Sequence, residues 1–232
     1  MLVTLPIREL VPATPRATIV RLALNGHRFE YTAGQAVLVA PHGSERRRPY
    51  SIAIAPEDAQ RTGQLELLVG TDADTGDGSR LELEIGATLD VEGPVGTFTF
   101  PASPVERNFV FVAGGTGIAP LRAMLRHVML GPEPQHVGLL YSARTPTEFA
   151  YQDEFRALAE RRLIELRQTV TRAPAGTWSG PRGRIDRAAL AELVHDPRTL
   201  CFICGPAAMV DEIPRLLEDI GVDRSRIRIE EW

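Results

Sequence analysis

Hydrophobic and polar positions change rhythm partway along the chain. Before residue 100 the apolar residues gather in short runs, Thr18–Leu24, Ala36–Ala40, Tyr50–Ala55, Gln64–Val69 and Thr88–Glu92, broken by Gly, Pro, Asn and Asp. Short, closely spaced runs of this kind predict a small antiparallel β-barrel. From Phe109 onward, strand-like runs alternate with helical periodicity. The runs are Phe109–Ala113, Val137–Ser142, Leu163–Thr171, Thr199–Cys204 and Arg226–Glu230; helices are predicted near Pro120–Leu130, Tyr151–Arg162, Arg187–His195 and Pro206–Ile220. That alternation predicts an α/β domain built on a doubly wound parallel sheet. Pro101 and Pro104 in the segment Pro101–Asn108 discourage a continuing strand. Two domains are therefore expected, 1–103 and 104–232.

The most informative stretch is Phe109–Pro120, FVFVAGGTGIAP. Four apolar residues read as a buried strand. They run into Gly114, Gly115, Thr116 and Gly117, and then into Pro120, at the first turn of a helix, where its missing N–H costs nothing. Glycines let backbone approach an anion, and the helix N-terminus presents free N–H groups and the positive end of its dipole. In this strand–turn–helix context the pattern points to a dinucleotide pyrophosphate.

Composition narrows the picture. With 232 residues and 44% apolar content the chain can bury a full core. Its net charge of −4 is spread along the chain, which leaves no nucleic-acid footprint. The start, MLVTLPIREL, lacks the pattern of a signal peptide, and no apolar run reaches bilayer length, so a cytoplasmic protein without a membrane span is expected. Two cysteines make no disulfide framework. Cys201 and Cys204 form Cys-x-x-Cys, but residues three apart on a strand face opposite sides, and no second pair completes a metal site. The five histidines show no ligand spacing. No metal is expected.

Other residues carry candidate chemistry. In Arg46–Ala53, RRRPYSIA, alternation places Arg48, Tyr50 and Ile52 on one face and Ser51 on the other. The run is either a solvated basic loop beside a core tyrosine, or an arginine for a phosphate, an aromatic for a planar ring and a hydroxyl for a ring nitrogen. At the end of the second C-terminal strand, where a dinucleotide fold tests the adenosine ribose, no acidic residue appears; Ser142 and Arg144 stand there instead. They suit a 2′-phosphate and hence NADPH, although Arg144 could instead stack on adenine or pair with Glu148.

The order of these motifs resembles the ferredoxin–NADP(H) reductase superfamily over nearly the whole chain. Arg48-Pro49-Tyr50-Ser51 is similar to its Arg-x-Tyr-Ser flavin motif, and Ala33-Gly34-Gln35 to its strand entry. Gly76-Asp77-Gly78-Ser79 resembles its flavin-phosphate turn, opening a short helix expected over Ser79–Ile85. Gly93–Phe98 resembles the hairpin that closes the flavin domain, and Trp178, Gly180, Gly183 and Arg184 its connection before the next helix. Gly114–Pro120 is similar to its nucleotide loop, Cys204-Gly205-Pro206 to its nicotinamide-site turn, and Glu230 with Trp232 to its terminal carboxylate and aromatic.

The resemblance implies a flavoprotein that moves hydride from NADPH or NADH to bound FAD (or FMN). It assigns Arg48 to the flavin phosphate, Tyr50 to the isoalloxazine, Ser51 to flavin N5, and Cys204, Glu230 and Trp232 to the nicotinamide and its neighbourhood. Where family members often carry Arg or Lys after the strand ending at Val69, this chain has Gly70-Thr71 and then Asp72, Asp74 and Asp77. The implied acceptor is a redox partner protein (a ferredoxin, a haem protein or an oxygenase component) or free flavin, with a non-catalytic electron-transfer subunit as the rival from another class. A monomer is expected.

Overall fold

A computed structural model describes residues 1–70, 81, 83–131 and 135–231. Six strands form the N-terminal sheet: β1 (Leu2–Thr14), β2 (Ala17–Ala23), β3 (Ala36–Pro41), β4 (Arg48–Ser51), β5 (Gln64–Gly70) and β6 (Thr88–Val95). They are ordered β4-β3-β6-β1-β2-β5, with every pairing antiparallel. An antiparallel bridge between Ile52 and Leu67, with the Ala53 amide donating to the Glu66 carbonyl at 2.8 Å, joins the two ends of that order. The expected barrel is thus present.

Two of its elements were not expected from the sequence. β1 contains Pro6 and Pro12, which obscure it, yet each proline falls near the end of a ladder: Leu2–Pro6 pairs with β6, and Ile7–Thr14 then switches to β2. Helix α1 (Pro56–Thr62) has Pro at its start, Glu57 and Asp58 in its first turn, and Gly63 at φ 66° closing it. The expected run Tyr50–Ala55 moves to Arg48–Ser51, and β4 ends there because Pro56 begins α1. The helix expected over Ser79–Ile85 is not helical where it is described. Hydrogen bonds from Gly86 N to Ile7 O and from Ile7 N to Ala87 O instead tie the chain that follows it to β1.

The C-terminal sheet is parallel, in the order β11-β10-β7-β8-β9. Its strands are β7 (Asn108–Gly114), β8 (His136–Ala143), β9 (Glu165–Val170), β10 (Leu200–Gly205) and β11 (Ile227–Glu231). Helices α2 (Ile118–Leu130), α3 (Gln152–Glu160), α4 (Arg187–Ala191) and α5 (Ala207–Asp219) lie between them, as the alternation predicts. Among the described residues no helix is long and apolar enough to cross a membrane.

One apolar core runs through both halves. Ile19, Ala53, Leu68, Phe98 and Phe100 of the N-terminal part pack with Phe109, Phe111, Leu121 and Phe202 of the C-terminal part. The other face of the parallel sheet has its own core, in which Val110, Val112 and Ile203 meet Leu217 of α5. Beside the shared core lies a charged seam. The Arg122 guanidinium, nine-tenths buried, donates to Glu66 of β5 (2.8 Å), to Glu154 of α3 (2.7 Å) and to the Ala53 carbonyl (2.5 Å). One turn on, Arg126 bonds Asp58 of α1 and Glu154. Gly34 is equally constrained: at φ 101°, an added Cβ would lie 2.2 Å from Met124 and 2.4 Å from the Phe98 carbonyl.

Candidate active site

Where β7 and β10 lie side by side, the next strand in sequence leaves on opposite sides, and such a switch point leaves a crevice at the carboxyl ends of the strands. The crevice here is a cleft of about 1350 Å³, walled on one side by β4 and β5 and on the other by the ends of β7, β8 and β10. Pockets for one drug-sized ligand measure roughly 300–1000 Å³, so this cleft has room for two extended ligands.

The glycine turn forms its floor. Gly114 ends β7, Gly115–Gly117 make a single 3₁₀ turn with Gly115 at φ 54°, and α2 follows with Pro120 as its third residue, so the strand–turn–helix expectation holds. Gly114, Gly115, Thr116 and Gly117 line the cleft. A Cβ on Gly114 would lie 2.9 Å from Pro206 and 2.8 Å from the Met209 sulfur, and one on Gly205 would meet the same sulfur at 2.8 Å. The ends of β7 and β10 therefore approach at a distance only glycines allow. Tyr141 of β8 holds the turn from below: its hydroxyl donates to the Gly115 carbonyl (3.0 Å) and accepts from the Ala150 amide (3.2 Å). Sequence reasoning missed this residue, whose only signal is a phenol following the aliphatic pair Leu139 and Leu140 in a strand.

Arg48, Pro49, Tyr50 and Ser51, which make up β4, all line the opposite wall. Burial raises the pKa of the Tyr50 phenol, Arg48 counteracting, so that phenol stays neutral.

Ser142 and Arg144 line the cleft at the end of β8. The Thr171 amide donates to the Ala143 carbonyl (3.0 Å) and the Arg172 amide to the Arg144 carbonyl (2.7 Å), which brings Arg172 alongside. Arg184 lines the same cleft. Glu148 pairs with Arg16 at 3.9 Å. Trp178 shields the connection to this wall, its indole N–H donating to the Pro181 carbonyl and its ring filling the place a Gly180 side chain would need.

Cys201 and Cys204 face opposite sides of β10: Cys201 packs with Val110 and Val112, and Cys204 with Phe111 and Phe202. Cys204 and Pro206 reach the cleft. The Cys204 thiol lies 3.9 Å from Oε2 of Glu230, its register partner on β11. Burial pushes the thiol pKa upward, Glu230 adding to it, which disfavours the thiolate. Burial also raises the Glu230 carboxyl to about 7. Gly76, Gly78, Ser79 and Trp232 lie outside the described residues.

A spacious cleft, a backbone cradle at a helix start and several arginines fit a flavin dinucleotide and a nicotinamide nucleotide held together. Comparisons with known proteins agree. Residues 5–100 match the Oxidoreductase FAD-binding domain and residues 111–214 the Oxidoreductase NAD-binding domain. The chain is 39% identical to ferredoxin–NADP reductase B of Sorangium cellulosum, over 90% of this chain and 88% of that protein. It is 28% identical to the reductase component of propane 2-monooxygenase of Rhodococcus jostii, covering 95% of this chain and 61% of the relative. Among solved structures, the ferredoxin reductase in carbazole 1,9a-dioxygenase superposes with a TM-score of 0.85 over all of this chain and 69% of its own, at 24% identity, which speaks to fold alone. With glycine cradle, arginine-lined cleft and domain matches in agreement, the chain belongs to the ferredoxin–NADP reductase superfamily, as an NAD(P)H-dependent flavoprotein oxidoreductase.

Proposed function

We propose that this protein draws reducing equivalents from NADPH and delivers them to a separate electron-carrier protein, a ferredoxin or an oxygenase component. Residues 1–103 hold the FAD and residues 104–232 the nucleotide. When bound, the flavin supplies two-electron uptake as hydride and one-electron release. The chain's own residues bind and orient. Arg48 offers a forked, permanently charged donor to the flavin phosphate. Tyr50 would supply an aromatic ring for the isoalloxazine, and Ser51 would offer a hydroxyl as a hydrogen-bond donor to flavin N5. The Gly114–Gly117 turn takes the nucleotide pyrophosphate on backbone N–H groups. Cys204 and Glu230 border the nicotinamide, the neutral thiol as packing and the carboxyl as an ionisable neighbour.

NADPH is favoured over NADH by one observation: Arg144, Arg172 and Arg184 line one cleft with Ser142, and no acidic residue stands at the end of β8. The two cysteines of this sequence face opposite sides of β10 and so cannot together ligate an iron–sulfur cluster there. The likeness to a ferredoxin–NADP reductase and to an oxygenase reductase component supports a protein acceptor.

The test is anaerobic turnover of holoprotein with NADPH against a ferredoxin, ferricyanide and free FMN in parallel. Rapid reduction of ferredoxin and ferricyanide with slow reduction of free FMN is the expected pattern. Efficient FMN turnover with an untouched ferredoxin would make the protein a free-flavin reductase instead.

A further inference from the structure

The far end of the parallel sheet holds a cluster that the electron-transfer reading does not use. His136 is the first residue of β8, Glu165 the first of β9, and His195 lies between α4 and β10. All three start from the amino ends of the strands, opposite the cleft, and the topology alone brings them together. One carboxylate oxygen, Glu165 Oε1, lies 3.5 Å from His136 Nδ1 and 2.9 Å from His195 Nε2. The three candidate ligand atoms fall within 4.8 Å of one another. The two imidazoles are tilted by 56° with ring centres 5.3 Å apart, so they converge rather than stack.

Zinc bound at 2.0–2.2 Å in a tetrahedron sets its donors roughly 3.3 Å apart. Two of the present separations bracket that value, and the third closes with rotamer adjustments of partly exposed side chains. Two imidazoles and a carboxylate suit a borderline divalent ion better than a hard one, and leave a fourth position for water. A second feature points the same way. A cavity of about 580 Å³ opens beside the cluster, lined by His136, Glu165 and Gln135. The Gln135 side-chain oxygen is buried with no hydrogen-bond partner among the described residues. A buried acceptor without a donor calls for a polar occupant such as water or a hydrated ion. Of the neighbouring cations, Arg167 is engaged by Glu192 at 2.7 Å, while Arg162 lines the same cavity.

We propose that His136, Glu165 and His195 bind one borderline divalent transition-metal ion, zinc foremost. It acts as a structural cation that ties the segment before β10 to the starts of β8 and β9. Being remote from the cleft, it stabilises without entering electron transfer.

The test uses the holoprotein, stripped with chelator, dialysed and titrated calorimetrically with zinc chloride, with magnesium chloride in parallel. Expected is one saturable zinc equivalent per chain, a rise in the unfolding midpoint on zinc addition, and no comparable magnesium binding. His136→Ala and His195→Ala, checked for folding by retained flavin absorbance, should each weaken zinc by more than about a hundredfold, beyond the roughly 10–100-fold that loss of an outer-shell partner costs. NADPH-driven reduction of the flavin should change less than twofold with zinc. Absent saturable binding, equal magnesium binding, or zinc affinity unchanged in both variants would each overturn the site and leave a hydrogen-bonded surface cluster.

Discussion

Helix α2 serves two regions that treat charge in opposite ways. Its body faces the seam, where Arg122 and Arg126 meet Glu66, Asp58 and Glu154 in ion pairs at 2.5–2.8 Å, a network that Arg21 and Arg61 extend. Its beginning faces the cleft, whose lining includes the Gly114–Gly117 turn and the side chains of Arg48, Arg144, Arg172 and Arg184. At the seam, burial alone would lower the Arg122 guanidinium pKa, yet Glu154 and Glu66 outweigh it and the net shift is upward. Charge there is spent on partners inside the protein and fixes one half against the other. In the cleft the cationic groups surround a volume large enough for two cofactors. The same residue type therefore holds the frame in one place and lines the cleft in the other.

The largest effect should come from breaking the seam. Arg122→Ala removes the cation that Glu66 and Glu154 share and its bond to the Ala53 carbonyl, while Arg21 still pairs Glu66 and Arg126 still pairs Glu154, so the loss should be about 3 kcal/mol, the low end for breaking a buried pair. Urea unfolding of the holoprotein measures it; a loss below 1 kcal/mol would mean that the apolar core alone joins the halves. Next is the cleft. Arg48→Ala should remove a charge-assisted phosphate contact worth about 1.5–3 kcal/mol, weakening flavin retention at least tenfold. Visible absorbance of dialysed protein reads it, and equal occupancy in wild type and variant would take Arg48 out of the site. Smaller again, Arg144→Ala should raise the KM for NADPH about tenfold, equivalent to about 1.4 kcal/mol, with NADH nearly unchanged. An equal loss for both nucleotides would assign Arg144 to adenine stacking or to structure.

The contrast between the two regions also explains what the sequence could and could not show. The glycine turn, Arg48–Ser51 and Cys204–Pro206 are contiguous, and their chemistry depends on local backbone, so their spacing carried the signal. β1 was obscured by Pro6 and Pro12, whose cost is avoided only because the strand changes partners between them. The seam could not be read, because Glu66, Arg122 and Glu154 are ordinary charged residues until a barrel strand, α2 and α3 meet. The histidine pair was invisible for the same reason. His136 and His195 share no local pattern, and only the parallel strand order places them around Glu165.

The smallest effect concerns Glu230. Burial raises its carboxyl to about 7, from an ordinary value near 4.5. A raised carboxyl favours the neutral form in the fold, so its stabilising contribution is complete below the ordinary value and is lost as pH rises through about 7. Wild-type unfolding midpoints should fall across that window more steeply than those of Glu230→Gln. Parallel pH profiles would show that the carboxyl is solvated rather than buried against Cys204.

The central claim is that one cleft holds flavin and nicotinamide nucleotide close enough to react. Anaerobic mixing of flavin-loaded protein with NADPH, followed by the flavin's visible absorbance, tests it most directly. Expected is bleaching by a stoichiometric amount of NADPH, at a rate that saturates with nucleotide concentration. Flavin that dithionite bleaches but neither NADPH nor NADH affects would contradict it.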